Sequence, residues 1–238
     1  MNNVELLSFR DDRALAESAA AQWLKGLETA AQAPTPYCVA LSGGRIARRF
    51  FDAVTSRVKI RPVPLTTVHF FWGDERCVPP TDPESNFGIA HEFLLRPLGI
   101  PEDRIHRVRG EELPEPAAAQ AEAELRGIAP PDAAGQPILD LIFLGMGEDG
   151  HVASLFPGES EEVMADQRVY RPVMASKPPP QRITLGYSAV AAAKQTWVLA
   201  SGQGKQNVLR ESLGPGGRTP LARVLNLRHR TRIFTDLL

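Results

Sequence analysis

The 238-residue sequence predicts an α/β fold, a mostly parallel sheet with helices on both faces. Three observations predict it. Short apolar runs rich in β-branched and aromatic residues alternate with longer segments of helical period, the pattern of strand–helix–strand units. No Ser/Gly-rich linker, internal repeat or low-complexity tract interrupts the chain, so residues 1–238 read as one domain. Three predicted strands end in turns crowded with glycines and charged residues, at the carboxyl ends where such sheets bind ligands.

The elements follow in order. Val4 to Phe9 predicts a first strand. Asp11 and Asp12 supply an N-cap and a first-turn acid for a long helix with Leu15, Ala19, Trp23 and Leu27 along one face, and Pro34 and Pro36 end it. Tyr37 to Leu41 is a short apolar strand running into Ser42-Gly43-Gly44, and Arg45 to Ser56 is helical. Thr66 to Trp72 is a buried strand that stops at a loop, Gly73-Asp74-Glu75-Arg76. Helices are expected over about Glu84 to Leu95 and over Glu115 to Arg126. Ile138 to Leu144 is an apolar strand ending at Gly145-Met146-Gly147. Further strands are expected at Val169 to Met174, Arg182 to Leu185, Gln195 to Ala200 and Arg232 to Thr235, with a helix over Gly204 to Leu213.

Composition narrows the function. With 43% hydrophobic and 23% charged residues the chain is globular rather than disordered. Lys and Arg number 27 against 28 Asp and Glu, a formal net charge of -1, which excludes the broad basic footprint of a nucleic-acid binder. Any anion is therefore held by a local cluster of charge. Cys38 and Cys77 are too few for a disulfide framework and read as free thiols in apolar runs. The first residues lack a signal-peptide pattern, and no uncharged apolar run approaches the ~20 residues that span a bilayer. A soluble cytoplasmic protein, without membrane or nucleic-acid partners, is the expectation.

The chemistry is concentrated at the strand ends. Gly145-Met146-Gly147-Glu148-Asp149-Gly150 fits the dinucleotide pattern G-x-G-x-x-G. Glu148 and Asp149 would oppose a pyrophosphate there, and Pro157 leaves little room for the helix such a site needs. A merely structural glycine turn is the bland alternative. Neither explains His151, placed beside two acids in a loop that glycines let bend. A histidine near its ordinary pKa of ~6.5 accepts a proton from water at neutral pH, and a neighbouring carboxylate fixes its tautomer. Asp74 and Arg76 form either a solvated turn or a sugar-phosphate contact, with Arg76 suited to bind phosphate bidentately. Gly43 and Gly44 precede a helix and can offer backbone N–H groups to an anion. Lys177-Pro178-Pro179-Pro180 delivers Arg182 to a strand, and Lys205 stands at a helix start, where a cation suggests an anionic ligand. Metal-ligand spacings and a nucleophile elbow are both missing from the sequence.

These residues resemble a known family. Gly73-Asp74-Glu75-Arg76-Cys77-Val78-Pro79-Pro80 with Asp82-Pro83-Glu84-Ser85-Asn86-Phe87-Gly88 is similar to one signature of the 6-phosphogluconolactonases, and Leu144 to His151, continuing through Ala153 to Gly158, resembles a second. The blocks Lys177–Leu185 and Gly204-Lys205 are similar to later ones. The resemblance implies a Rossmann-like fold of the isomerase/lactonase superfamily type. It implies hydrolysis of 6-phospho-D-glucono-1,5-lactone to 6-phosphogluconate in the pentose phosphate pathway, with neither metal nor nucleotide cofactor. It makes His151 the base, gives Asp74 and Asp149 the sugar, the water or His151 to hold, and assigns the phosphate to Arg76, Arg182 and Lys205 with Gly43 and Gly44.

Two positions depart from the family. Ser-Gly-Gly normally continues with Ser-Thr-Pro, whereas Arg45-Ile46-Ala47 stands here; Arg45 either replaces the lost hydroxyls as a phosphate contact or points away. Val152 replaces the usual threonine after the histidine. The rival readings are a non-catalytic sugar-phosphate binder and an amino-sugar phosphate isomerase or deaminase. The isomerases tend to have tyrosine at the place of Arg76 and asparagine at that of Asp149, which favours the lactonase. A small-molecule substrate and a monomeric state complete the expectation.

Overall fold

The computed structural model describes residues 3–33 and 35–238. Strand β1 (Asn3–Ser8) leads to helix α1 (Asp12–Ala30), capped by the Asp11 carboxylate, which accepts the Ala14 N–H at 2.7 Å. Such a cap contributes ~0.5–2 kcal/mol. The helix ends four residues ahead of Pro34, which lies outside the described residues. Next come β2 (Tyr37–Leu41), α2 (Arg45–Ile60), β3 (Val68–Trp72) and β4 (Asp74–Arg76). Helix α3 (Asn86–Ala90) passes into a π-helical turn at His91–Leu95, and α4 (Pro114–Ile128) precedes β5 (Leu141–Gly145). The remainder is α5 (Glu161–Met164), β6 (Tyr170–Met174), β7 (Gln181–Leu185), α6 (Tyr187–Ala192), β8 (Gln195–Ala200), α7 (Gln206–Leu213), α8 (Pro220–Leu227) and β9 (Arg230–Thr235).

Six strands form a wholly parallel sheet in the order β1-β9-β8-β5-β2-β3. The chain crosses the sheet one way through α1 and α2 and returns after β3. Right-handed crossovers therefore place α1 and α2 on one face and α4, α6, α7 and α8 on the other. On the first face Trp23, Phe50 and Phe143 interlock, with ring centroids 5.4 Å apart for Trp23–Phe143 and 4.5 Å for Phe50–Phe143. All three are buried, each contributing ~1.5–3 kcal/mol by leaving water. The strand order reverses between β2 and β5, and the crevice beyond their carboxyl ends is where such a sheet receives a ligand.

Several expectations need correction. The strands near Val169 and Arg182 do not join the parallel sheet: β6 and β7 form a separate antiparallel sheet with β4, in the order β4-β7-β6. Pro172 lacks the N–H a central strand needs and fits the edge position that β6 takes. Gly73–Arg76, read as a loop, contains that third strand. The helix expected over Glu84–Leu95 begins at a Ser85 cap, whose Oγ accepts the Gly88 N–H at 3.0 Å, and changes to π geometry after Ala90. The helix expected from Gly204 opens as a 3₁₀ turn at Gln203–Lys205. Helices α6 and α8 were not anticipated, although Thr219 and Pro220 are an ordinary cap and first-turn pair for α8.

No helix among the described residues is long and apolar enough to cross a membrane. Both cysteines are free, Cys38 buried and Cys77 half-buried, and burial pushes their thiols up to about 12 and about 11. Neither is a ready nucleophile.

Candidate active site

The loops after β2 and β5 meet where the strand order reverses. The Gly145 N–H donates to Ser42 Oγ at 3.3 Å and ties them together. Between these loops and the small sheet lies a cavity of about 280 Å³, near the lower end of the ~300–1,000 Å³ typical of ligand pockets. Gly43, Gly44, Asp74, Arg76, His151, Arg182 and Lys205 all line it. A wider cleft of about 980 Å³ adjoins it and shares Gly44, Arg45 and Arg76, but lacks His151.

His151 is partly exposed, and its Nδ1 lies 2.5 Å from Asp149 Oδ1. Asp149 backs the ring rather than lining the cavity. A carboxylate can only accept, so Nδ1 carries a proton, and in the neutral imidazole the lone pair is on Nε2. Burial tends to raise the Asp149 carboxyl, but the charge and hydrogen bonds of His151 hold it below the usual carboxylate value. The fit depends on Gly147: a Cβ there would fall 2.1 Å from both Nδ1 and Cε1 of His151. Gly150 turns the loop at φ +78°, in the region glycine favours.

Of the two carboxylates that the sequence offered as partners of the histidine, Asp149 is the one in contact. Asp74 is buried and held elsewhere: Ser154 Oγ donates to its Oδ2 at 2.7 Å and Asn86 Nδ2 to its Oδ1 at 3.2 Å. Asn86 reaches it only because Gly43 has no side chain, since a Cβ there would overlap Asn86 Oδ1 at 1.8 Å. The buried Glu75 carboxylate fixes this segment, accepting the N–H groups of Arg76, Asn86 and Phe87 at 2.7–2.8 Å and the Ser85 hydroxyl at 3.1 Å. Burial raises its pKa to about 7 against the pull of those donors.

Arg76 and Arg182 are register partners on the antiparallel pair β4–β7. Arg76 Nη1 donates to the Glu84 carbonyl at 2.6 Å and to Glu84 Oε2 at 3.1 Å. Arg182 is held by the Pro179 carbonyl at 3.1 Å, so the proline segment aims it as expected. Its guanidinium lies over Phe156 at 5.6 Å, and the same ring stands 5.0 Å from that of His151. Burial, then the charge of Arg76, lowers the Arg182 pKa. Lys205 is half-buried across the cavity, its pKa lowered by burial and then by Arg45. Arg45 points toward the cavity, not away from it. Asn86 and Ser154 join the site without a signal of their own in the sequence: both lie inside the signature segments, but their contacts with Asp74 arise only when distant segments meet.

A family model described as glucosamine-6-phosphate isomerases/6-phosphogluconolactonase matches residues 10–234. The chain belongs to this family. A 6-phosphogluconolactonase of Treponema pallidum is 39% identical over 173 residues, covering 72% of this chain and 70% of that protein. One from Streptomyces coelicolor is 33% identical over 220 residues, covering 90% and 84%. Among solved structures, 6-phosphogluconolactonase from Trypanosoma brucei superposes with a TM-score of 0.83 at 25% identity, covering 100% of this chain and 97% of that one. Membership and fold agree with the expectation drawn from the motifs.

Proposed function

We propose that this chain hydrolyses 6-phospho-D-glucono-1,5-lactone to 6-phospho-D-gluconate, the lactonase step of the pentose phosphate pathway, with His151 as general base. The observation that carries this reading is the His151–Asp149 pair at the wall of a cavity that also holds Arg76, Arg182 and Lys205. His151 Nε2 takes a proton from water as the water oxygen bonds to the lactone carbonyl carbon. Asp149 stabilises the imidazolium that forms. Collapse of the tetrahedral intermediate breaks the bond to the ring oxygen, which takes the proton back from Nε2, and the new carboxylic acid ionises in water. A positioned base supplies ~10²–10⁴-fold, and anchoring the phosphate adds orientation.

In this reading Asp74, with both oxygens fixed, accepts from a sugar hydroxyl, and Arg76, Arg182 and Lys205 hold the 6-phosphate with the N–H groups of Gly43 and Gly44. The site residues run from Ser42 to Lys205 along one chain, which supports a single domain over 1–238 whose site is complete in one copy; a monomeric state and a cytoplasmic location belong to the same reading. The test oxidises glucose 6-phosphate in situ and follows loss of the lactone with and without the protein. Acceleration over spontaneous hydrolysis, lost in His151→Ala, is the expected result. No acceleration with sugar-phosphate binding intact would overturn the enzyme reading in favour of a silent binder, and ammonia release from glucosamine 6-phosphate would place the chain on the isomerase branch.

A further inference from the structure

Three arginines occupy the first two turns of α2, and they differ in what they meet. Arg49 pairs with Asp12 at 2.7 Å. Arg48 lies over the Phe93 ring at 4.2 Å. Arg45 has, among the described residues, no carboxylate within ion-pair distance, and it lines the cavity. Its Nη2 lies 3.0 Å from the point where a Cβ on Gly202 would stand, and Lys205 Cε lies 4.0 Å from that same point. Two cations thus crowd one glycine.

Lys205 feels the carboxylates of Glu148, on the cavity wall, and Asp236, whereas Arg45 has no such acid on its own helix turn. Helix α2 has no acid in its first turn and no side-chain cap on Gly44. Its first N–H groups have no acceptors within the helix, and the helix start adds positive partial charge. A guanidinium gains nothing from the helix there, and Arg45 is exposed and able to meet an anion. We propose that Arg45 is a phosphate-binding residue of this chain, closing on the anion opposite Lys205 and setting the preference for a phosphorylated over a phosphate-free lactone. The guanidinium fork can take two phosphate oxygens at once and brings a full charge to them. Arg45 also lines the outer cleft. The specificity claim rests on the lactonase reading; the phosphate contact is tested separately.

The experiment compares the full chain with Arg45→Ala, Arg45→Lys and Arg49→Ala. It measures kcat/KM on the phospholactone and on glucono-1,5-lactone, and titrates 6-phosphogluconate calorimetrically. Arg45→Ala is expected to lower the ratio of the two kcat/KM values ~10–100-fold, through KM for the phospholactone, and to weaken 6-phosphogluconate by a similar factor. Arg45→Lys should recover part of the loss, and Arg49→Ala, which removes a charge from the same helix outside the cavity, should change neither quantity. An unchanged ratio and unchanged affinity in Arg45→Ala would overturn the proposal. If the wild-type chain hydrolyses neither lactone, the lactonase reading fails on its own. The titration then decides Arg45: a ~10–100-fold loss supports the contact and an unchanged affinity refutes it.

Discussion

Replacing Gly147 by alanine tests the site at its tightest contact. The added methyl would stand 2.1 Å from Nδ1 and Cε1 of His151 and 2.8 Å from Asp149 Oδ1. Non-bonded carbon contacts settle near ~3.5–4.0 Å, so the imidazole must retreat by roughly 1.5 Å. Gly147 is not among the glycines of positive φ, so the strain falls on the side chains rather than on the backbone. A retreat of that size breaks the 2.5 Å hydrogen bond that fixes the histidine tautomer. The stability cost is that of overpacking, ~1–3 kcal/mol, and each kcal/mol shifts Tm by ~2–4 °C in a chain of this size. The catalytic cost is larger, the ~10²–10⁴ supplied by a positioned base. The assay is lactone consumption by protein whose Tm and circular dichroism show it folded, with NMR of the His151 ring reporting its displacement. A folded Gly147→Ala protein with wild-type kcat would refute the argument that this dyad drives turnover.

The other predictions concern the tautomer, pH and charge. Asp149→Asn should lower kcat ~10²–10⁴-fold with little change in KM, because a carboxamide neither fixes the tautomer nor stabilises the imidazolium; equal losses in KM would make Asp149 a substrate ligand instead. His69 and His106 form a half-buried chain, with Arg104 Nη1 3.2 Å from His69 Nε2 and His69 Nδ1 2.9 Å from His106 Nε2, and partial burial lowers both pKa values. The unfolded chain therefore binds protons first as pH falls, so this pair's stabilisation is present above the ordinary histidine value of 6.5 and is lost below it; NMR titration midpoints at or above 6.5 would contradict this. Lys205→Met should hold or raise the ligand-free Tm and abolish most of the rise given by 6-phosphogluconate, which is worth ~2.7 kcal/mol at a hundredfold excess over Kd in the wild type. A ligand-free Tm several degrees lower would show that Lys205 supports the fold.

The parallel core was legible because its signals are local. Asp11 before a 3.6-residue pattern gives the α1 start, and Tyr37–Leu41 and Gln195–Ala200 match their strands end to end. The small sheet was not legible, since a strand pattern does not name its partner: β4 lies about a hundred residues before the β6–β7 pair it joins. All eight candidate site residues come together, because charge and glycine at strand ends are unusual enough to notice. What stayed hidden is contact across segments. Nothing near Asn86 in sequence says that its amide crosses Gly43 to reach Asp74, and the sequence leaves Asp74 and Asp149 equal candidates for the contact with His151, which the turn at Gly147 and Gly150 gives to Asp149.

The arrangement of the site follows from the period of one three-residue strand. Side chains alternate across a strand, so Asp74 and Arg76 face one way and Glu75 the other. Asp74 and Arg76 line the cavity, opposite Thr184 and Arg182 on β7, while Glu75 turns inward and gathers the N–H groups of Asn86 and Phe87 and the Ser85 hydroxyl. That inward anchor sets the position of Asn86, and Asn86 in turn orients Asp74. A slip of one residue would bury Arg76 and put Glu75 where an anion is to bind, so the register of β4 on β7 decides whether the site exists at all. The pairing also sets two guanidiniums side by side, which costs stability in a cross-strand pair. The carbonyls of Glu84 and Pro179 offset part of that cost, and an anionic substrate would offset the rest. Asp, Glu and Arg in that order are thus a strand with two chemical faces, one for the ligand and one for the loop that holds the ligand's contacts in place.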